Sequence, residues 1–130
     1  MRIELPIPTS TNDLYEHSAR GVRISAGYTE WQLKANQKIA EQGSFKLWEV
    51  PVEFTLFVYG GTKTSFDPDR RDMDNLLKAA LDKLTDRGIL RGDTARMIPK
   101  GHWEFIEATD ATQPARCWVE IREITQGETC

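Results

Sequence analysis

Asp72, Asp74 and Asp93, with Lys78 between them, are the side chains of this 130-residue chain whose types and spacing could do chemistry. They belong to the run Arg70-Arg71-Asp72-Met73-Asp74-Asn75-Leu76-Leu77-Lys78 and to a third acid soon after it. Carboxylates held close together repel, and their pKa values rise unless a cation shares the space. Hard oxygen donors suit Mg²⁺. A divalent ion flanked by arginines is equipment for phosphate chemistry. Asp74 and Lys78 stand at i and i+4, neighbours on one helix side. Asp72 falls at the helix start. Each acid also has an ordinary explanation. Asp72 suits an N-cap and Asp74 a first helical turn. The Asp74–Lys78 spacing suits a surface ion pair, and Asp93 suits a turn. Asp82 is read as a surface acid.

Other uses of the same residues fit less well. Aspartyl phosphatases place D-x-D at the end of a buried strand, but here Pro68-Asp69-Arg70-Arg71 precedes it. A nucleotide-sugar transferase would need a Gly-rich nucleotide turn, which is missing. His17 and His102 form no metal or triad pattern, and there is no nucleophile elbow. The Arg91-Gly92-Asp93 triplet has no adhesive meaning inside a cell.

The elements that must position these residues follow from periodicity. Ile3, Leu5 and Ile7 alternate with polar or proline positions, which predicts a strand over Arg2 to Pro8. A turn-rich piece follows, then a loop or short irregular hairpin over Tyr15 to Ser25. Trp31, Ala35 and Ile39 share one face of a helix predicted from Tyr28 to Gln42, with Thr29 as N-cap and Gly43 as stop. Val52 to Tyr59 alternates, and its second set, with Phe57 and Tyr59, is partly apolar. That predicts a central strand covered on both faces. The polar stretch Gly60 to Arg71 has the length of a functional loop.

The clearest helix runs from Asp72 to Arg87. Met73, Leu76, Leu77, Ala80, Leu81 and Leu84 form its apolar stripe, and Gly88 caps it. Ile89 and Leu90 pack back, and Arg91-Gly92-Asp93 turns. Two more strands, Trp103 to Glu107 and Arg116 to Ile124, are joined by Thr109 to Pro114. The expected fold class is α+β, a mixed sheet packed on two main helices in a single domain. The domain covers residues 1–124, with a frayed tail over 125–130.

With 39% hydrophobic and 28% charged residues the chain has the composition of a folded soluble domain. The absence of a run of about 18 apolar residues argues against a membrane span. The opening Met1 to Pro6 lacks a signal-peptide core, and the two cysteines form no metal-ligand spacing. A reducing cytoplasm is the expected setting. A net charge of −3 argues mildly against a general nucleic-acid coat protein. Metal at the three acids would bring the net near zero, with Arg70, Arg71, Lys78, Arg91, Arg96 and Lys100 around the site.

The run Arg70 to Leu84 resembles the signature of the RusA family of Holliday junction resolvases. That signature has basic residues, D-x-D-N-x-x-K, then an apolar helix ending in D-x-L. The family's third aspartate follows a Gly-containing turn, where this chain has Gly88-Ile89-Leu90-Arg91-Gly92-Asp93. The opening Leu5-Pro6-Ile7-Pro8-Thr9-Ser10-Thr11-Asn12-Asp13-Leu14-Tyr15 is similar to the family's opening, and the resemblance covers roughly residues 2–124.

The resemblance implies a small cytoplasmic homodimer of phage or prophage type that makes paired symmetric nicks in four-way DNA junctions, in recombination and repair. It implies Mg²⁺, with Mn²⁺ able to substitute. It matches Asp72, Asp74, Asp93 and Lys78 to catalytic positions, the three aspartates as metal ligands, and Arg71 to a basic position near DNA. Arg70, Arg71, Lys63, Arg20 and Arg23 are the candidates for the DNA-binding surface. A two-fold dimer would match the two equivalent strands of a junction. The alternatives are a metal nuclease for other DNA structures, a branched-DNA-binding or assembly protein without nuclease activity, and, more distantly, a small-molecule phosphohydrolase.

Overall fold

In a computed structural model the chain is a single α+β unit whose described residues are 1–7, 15–18, 21–24, 26–60, 73–92, 94–108 and 114–124. The strands are β1 (Arg2–Leu5), β2 (Tyr15–Ser18), β3 (Gly21–Ile24), β4 (Val52–Gly60), β5 (Lys100–Glu107) and β6 (Arg116–Glu123). The helices are α1 (Ala26–Glu41) and α2 (Met73–Asp86). Four strands form a mixed sheet in the order β1-β6-β4-β5. β6 runs antiparallel to both of its neighbours, and β4 and β5 are parallel. A parallel pair needs a crossover, which α2 provides. β2 and β3 pair antiparallel as a sheet of their own.

Alternation in the strands builds one core face. Ile3, Leu5, Val52, Phe54, Leu56, Val58, Cys117, Val119 and Ile121 are all buried on it. Ile39 of α1 and Leu76, Ala80 and Leu84 of α2 pack against it. Trp31 and Ala35 of α1 meet Ala79 of α2 in a second cluster. The predicted double cover of β4 is therefore corrected. Its second face carries Glu53, Phe57 and Tyr59, which are only half-buried, and of its four side chains only Thr55 is buried. Phe57 stacks on Trp118 with ring centroids 5.4 Å apart, and Arg2 and Arg116 lie over the Trp118 ring. Neighbouring rings and guanidinium groups shelter the apolar residues of that face.

Helix α1 begins at Ala26, so Thr29 lies inside the helix and is not its N-cap. β3 ends at Ile24 and α1 begins at Ala26, so the helix starts three residues before Thr29. Both predicted glycine stops hold: Gly43 has φ +114° and Gly88 φ +73°. At Gly88 the bonds are those of a Schellman cap. Gly88 N donates to Thr85 O at 3.1 Å and Ile89 N to Leu84 O at 2.9 Å. Ile89 and Leu84 are both buried there.

The two outer edges of the sheet differ. On β1 the Gln42 side chain pairs with the backbone of Glu4 in both directions: Glu4 N donates to Oε1 and Nε2 donates to Glu4 O, each at 2.7 Å. The amide thus completes the ladder that an edge strand leaves open. β5, at the other edge, is exposed over Lys100–Glu104.

Candidate functional site

Helix α2 positions the described part of the candidate site. Its buried stripe fixes the rotation of the helix on the sheet, which leaves Asp74 and Lys78 exposed. Asp74 is in the first turn, where a carboxylate also complements the helix dipole. Lys78 follows one turn later, so the two side chains sit on one accessible strip at the N-terminal end of α2. Asn75 between them is half-buried. Asp72, Asp93, Arg70, Arg71, Lys63 and Arg20 lie outside the described residues, as do positions 125–130. Arg23 lies on β3. Arg91, Arg96 and Lys100 are exposed.

The chain on either side of Asp93 is well anchored. Leu90 N donates to Leu84 O, and Trp48 N to Ile89 O at 2.8 Å. Leu90 also bridges to Trp48. Further on, Val52 N donates to Met97 O at 2.9 Å. Gly92 and Thr94 therefore belong to a corner at the C-terminal end of α2, beside the start of β4. Asp74 is at the other end of this 14-residue helix. The helix rises about 1.5 Å per residue, so the two ends are about 20 Å apart. Within one chain, the described neighbours of Asp93 and Asp74 are not brought together. The corner itself frames a groove of about 490 Å³ lined by Arg91, Gly92, Thr94, Arg96 and Glu49, among others.

The donor chemistry suits a hard cation: Asp74, an exposed residue, carries carboxylate oxygens of the kind Mg²⁺ prefers. Among the described residues no group of three His, Cys, Asp or Glu side chains gathers as a metal site. Two of the three candidate acids stand outside that set.

Some features escaped the sequence reading. Lys83 is 3% exposed, and its Nζ donates to Asn36 Oδ1 at 3.1 Å and lies 3.5 Å from the Asp86 carboxylate. Lys83 is seven residues beyond Leu76, two turns along the same stripe, and that spacing was the available signal. Its partner on α1 was not visible in the sequence. Glu4 is a titrating group with a clear perturbation. Partial burial opposes its ionisation, but hydrogen bonds and charge from Arg2 and Arg116 outweigh this and hold its pKa below the usual 4.5. The Arg116 bond is 2.6 Å long.

The fold and the exposed strip define a small α+β protein with one acid and one amine presented at a helix N-terminal end. No protein-family model matches the chain, and no curated protein matches it. No helix among the described residues is long and apolar enough to cross a membrane.

Proposed function

We propose that this chain is a metal-dependent endodeoxyribonuclease that resolves four-way DNA junctions by paired symmetric nicks, as its resemblance to the RusA family implies. The observation that carries the reading is the exposure of Asp74 and Lys78 on one strip of α2. This strip directly follows the segment that contains Arg70, Arg71 and Asp72. Asp72, Asp74 and Asp93 would hold Mg²⁺, or Mn²⁺ in its place. A bound ion of this kind lowers the pKa of its water and polarises phosphoryl oxygens. Lys78 offsets the charge that grows on the scissile phosphate. Arg70, Arg71, Lys63, Arg20 and Arg23 bind backbone phosphates, with steep salt dependence.

The separation along α2 bears on how the acids meet. Asp74 is at one end of the helix and the flanks of Asp93 are at the other. In this reading the site is shared across the axis of a homodimer, Asp72 and Asp74 coming from one copy and Asp93 from the second. Dimerisation then does two jobs: it completes each site, and it presents two equivalent sites to a two-fold junction.

The test is incubation of the protein with a labelled synthetic four-way junction, with and without Mg²⁺, reading the cut positions on each strand. Paired nicks that require Mg²⁺ are expected, and competition with a matched linear duplex separates junction specificity from general nuclease activity. Mixing Asp74→Asn chains with Asp93→Asn chains should restore nicking that neither shows alone, because one site of each mixed dimer keeps all its acids. A protein that binds junctions but never nicks them, with no response to Mg²⁺, is an assembly protein and not an enzyme.

A further inference from the structure

We infer that Trp103 is the base-contacting residue of the candidate site: its indole stacks on an unstacked nucleobase at the DNA branch point, next to the phosphate that Lys78 neutralises. The inference rests on the junction reading above and deepens it, by naming the part of the branched substrate that this margin of the protein holds.

The ladder fixes where the indole emerges. Trp103 pairs with Leu56 of β4, and Leu56 is fully buried on the helix-covered face of the sheet. Residues paired directly across a ladder point to the same face, so Trp103 belongs to that face as well. Its neighbour His102 points to the other face, where Nε2 lies 3.1 Å from Thr55 Oγ1. Two residues further on, Phe105 packs against the core. Trp103 nevertheless stays 42% exposed. β5 is the outermost strand on this side, so the indole emerges at the margin of the helix layer.

The wheel of α2 sets Asp74 and Lys78 on that same margin. α1 packs beside β1, the strand at the opposite edge of the sheet. Ala79 and Lys83 face α1: Ala79 meets Trp31 and Ala35, and Lys83 reaches Asn36. Leu76, Ala80 and Leu84 face the sheet. At about 100° per residue the next positions round are Leu77 and Leu81, then Asp74 and Lys78. That flank points away from α1, which is toward β5. Height agrees as well. α2 carries the chain from the end of β4 back to the corner before β5, so it runs antiparallel to both strands. Lys78 is sixth of the 14 residues of α2 and Trp103 fourth of the 8 of β5, each near the middle of an element about 20–26 Å long.

The chemistry gathered on this margin fits a nucleotide. An indole offers a flat π face on which any base can stack. Lys78, an exposed residue, offers a point charge for the phosphate. In paired duplex each base is already covered by its neighbours, and drawing one out is unfavourable. Where pairing and stacking are interrupted, as at a branch point, a base is taken more easily. Trp103 thus turns a strip that holds phosphate into one that favours branched over linear DNA.

The experiment uses the full chain with a labelled synthetic four-way junction and a matched linear duplex, Mg²⁺ being withheld so that binding is read without cleavage. Trp103→Leu keeps apolar bulk for the covered part of the side chain and removes the π face. It should weaken junction binding about tenfold and duplex binding less than about twofold. Its urea midpoint and sedimentation mass should stay near those of wild type. Trp103→Phe keeps a ring and should retain most of the affinity. The emission of Trp103, read as the difference between wild type and Trp103→Phe, should be quenched more by the junction than by the duplex. Unchanged junction affinity in Trp103→Leu, equal losses on junction and duplex, or a fall in mass that makes Trp103 a contact between copies overturns the inference. Should Trp103→Leu fail to fold, the emission decides, and equal quenching by both DNAs overturns it. A wild type that nicks junctions while Trp103→Leu binds them equally well keeps the nuclease and removes this contact. A wild type that binds junctions without ever nicking them, and loses its preference in Trp103→Leu, keeps the contact and removes the nuclease.

Discussion

Asp74→Asn separates a metal ligand from a helix-dipole partner by free energy as well as by activity. The substitution is nearly isosteric, and residue 74 is exposed, so no packing is lost. As a first-turn carboxylate, Asp74 contributes about 0.3–1 kcal/mol through the dipole. Without divalent metal, the helix-dipole part of the variant's loss should therefore be at most about 1 kcal/mol. For a chain of this size that corresponds to a shift in Tm of about 3–5 °C. A ligand that binds only the folded state stabilises by about 2.7 kcal/mol at a hundred times its Kd. Wild type should show a gain of that order on titration with Mg²⁺, and Asp74→Asn should lose most of it. The assay is urea denaturation in chelator and across a Mg²⁺ series, paired with junction binding and nicking on the same samples. The variant should bind junction DNA at least as well as wild type, since a charge that repels phosphate is gone, and it should not nick. If both proteins gain equally from Mg²⁺ and nick alike, Asp74 is a helix-dipole residue and the site assignment fails.

The remaining predictions concern single groups. Lys78→Ala should slow nicking at saturating DNA while changing junction affinity little, and its stability should stay within about 0.5 kcal/mol of wild type because the side chain is exposed. Equal single-turnover rates would remove its role. Gly88→Ala forces a side chain to φ +73° at the cap of α2 and should cost about 1 kcal/mol in urea melts, although a Cβ there meets nothing within 4 Å. A neutral result would show that the cap relaxes. The lowered pKa of Glu4 means that its carboxylate stabilises the fold above its unfolded value near 4.5, and that this contribution is lost as pH falls through the folded value. Glu4→Gln should therefore flatten the decline of the urea midpoint below about pH 4.5. Parallel pH profiles for the two proteins would contradict the Arg2–Glu4–Arg116 account.

Helix α2 was readable almost to the residue, Asp72 to Arg87 against Met73–Asp86. Its stripe and the Gly88 stop are local signals, and helical hydrogen bonds close within four residues. Period-two alternation likewise located β4, and the two further strands predicted after α2 are β5 and β6, with β5 beginning three residues earlier than expected, at Lys100. β1 ended at Leu5, short of Pro8. The i, i+4 spacing put Asp74 and Lys78 on one side of the helix, and the packing of α2 made that side an exposed one.

Phe57 and Tyr59 show where pattern stops being enough. Their apolar character was read as burial, yet Phe57 stacks on Trp118 on the open face of the sheet. Ladder partners are set by residues far apart in the chain, so nothing local distinguishes a covered face from a self-sheltering one. The same holds for Lys83 and Asn36, which are 47 residues apart. The amino-acid order alone determined the helices, the strand positions and the chemical types at the candidate site. Only tertiary structure decided the strand order β1-β6-β4-β5, the single covered face, and the placing of Asp74 and the Gly92–Thr94 corner at opposite ends of α2. The physical reason is range: turns and periodicity are fixed within a few residues, whereas sheet pairing and the packing of α2 against it are fixed by contacts between distant segments.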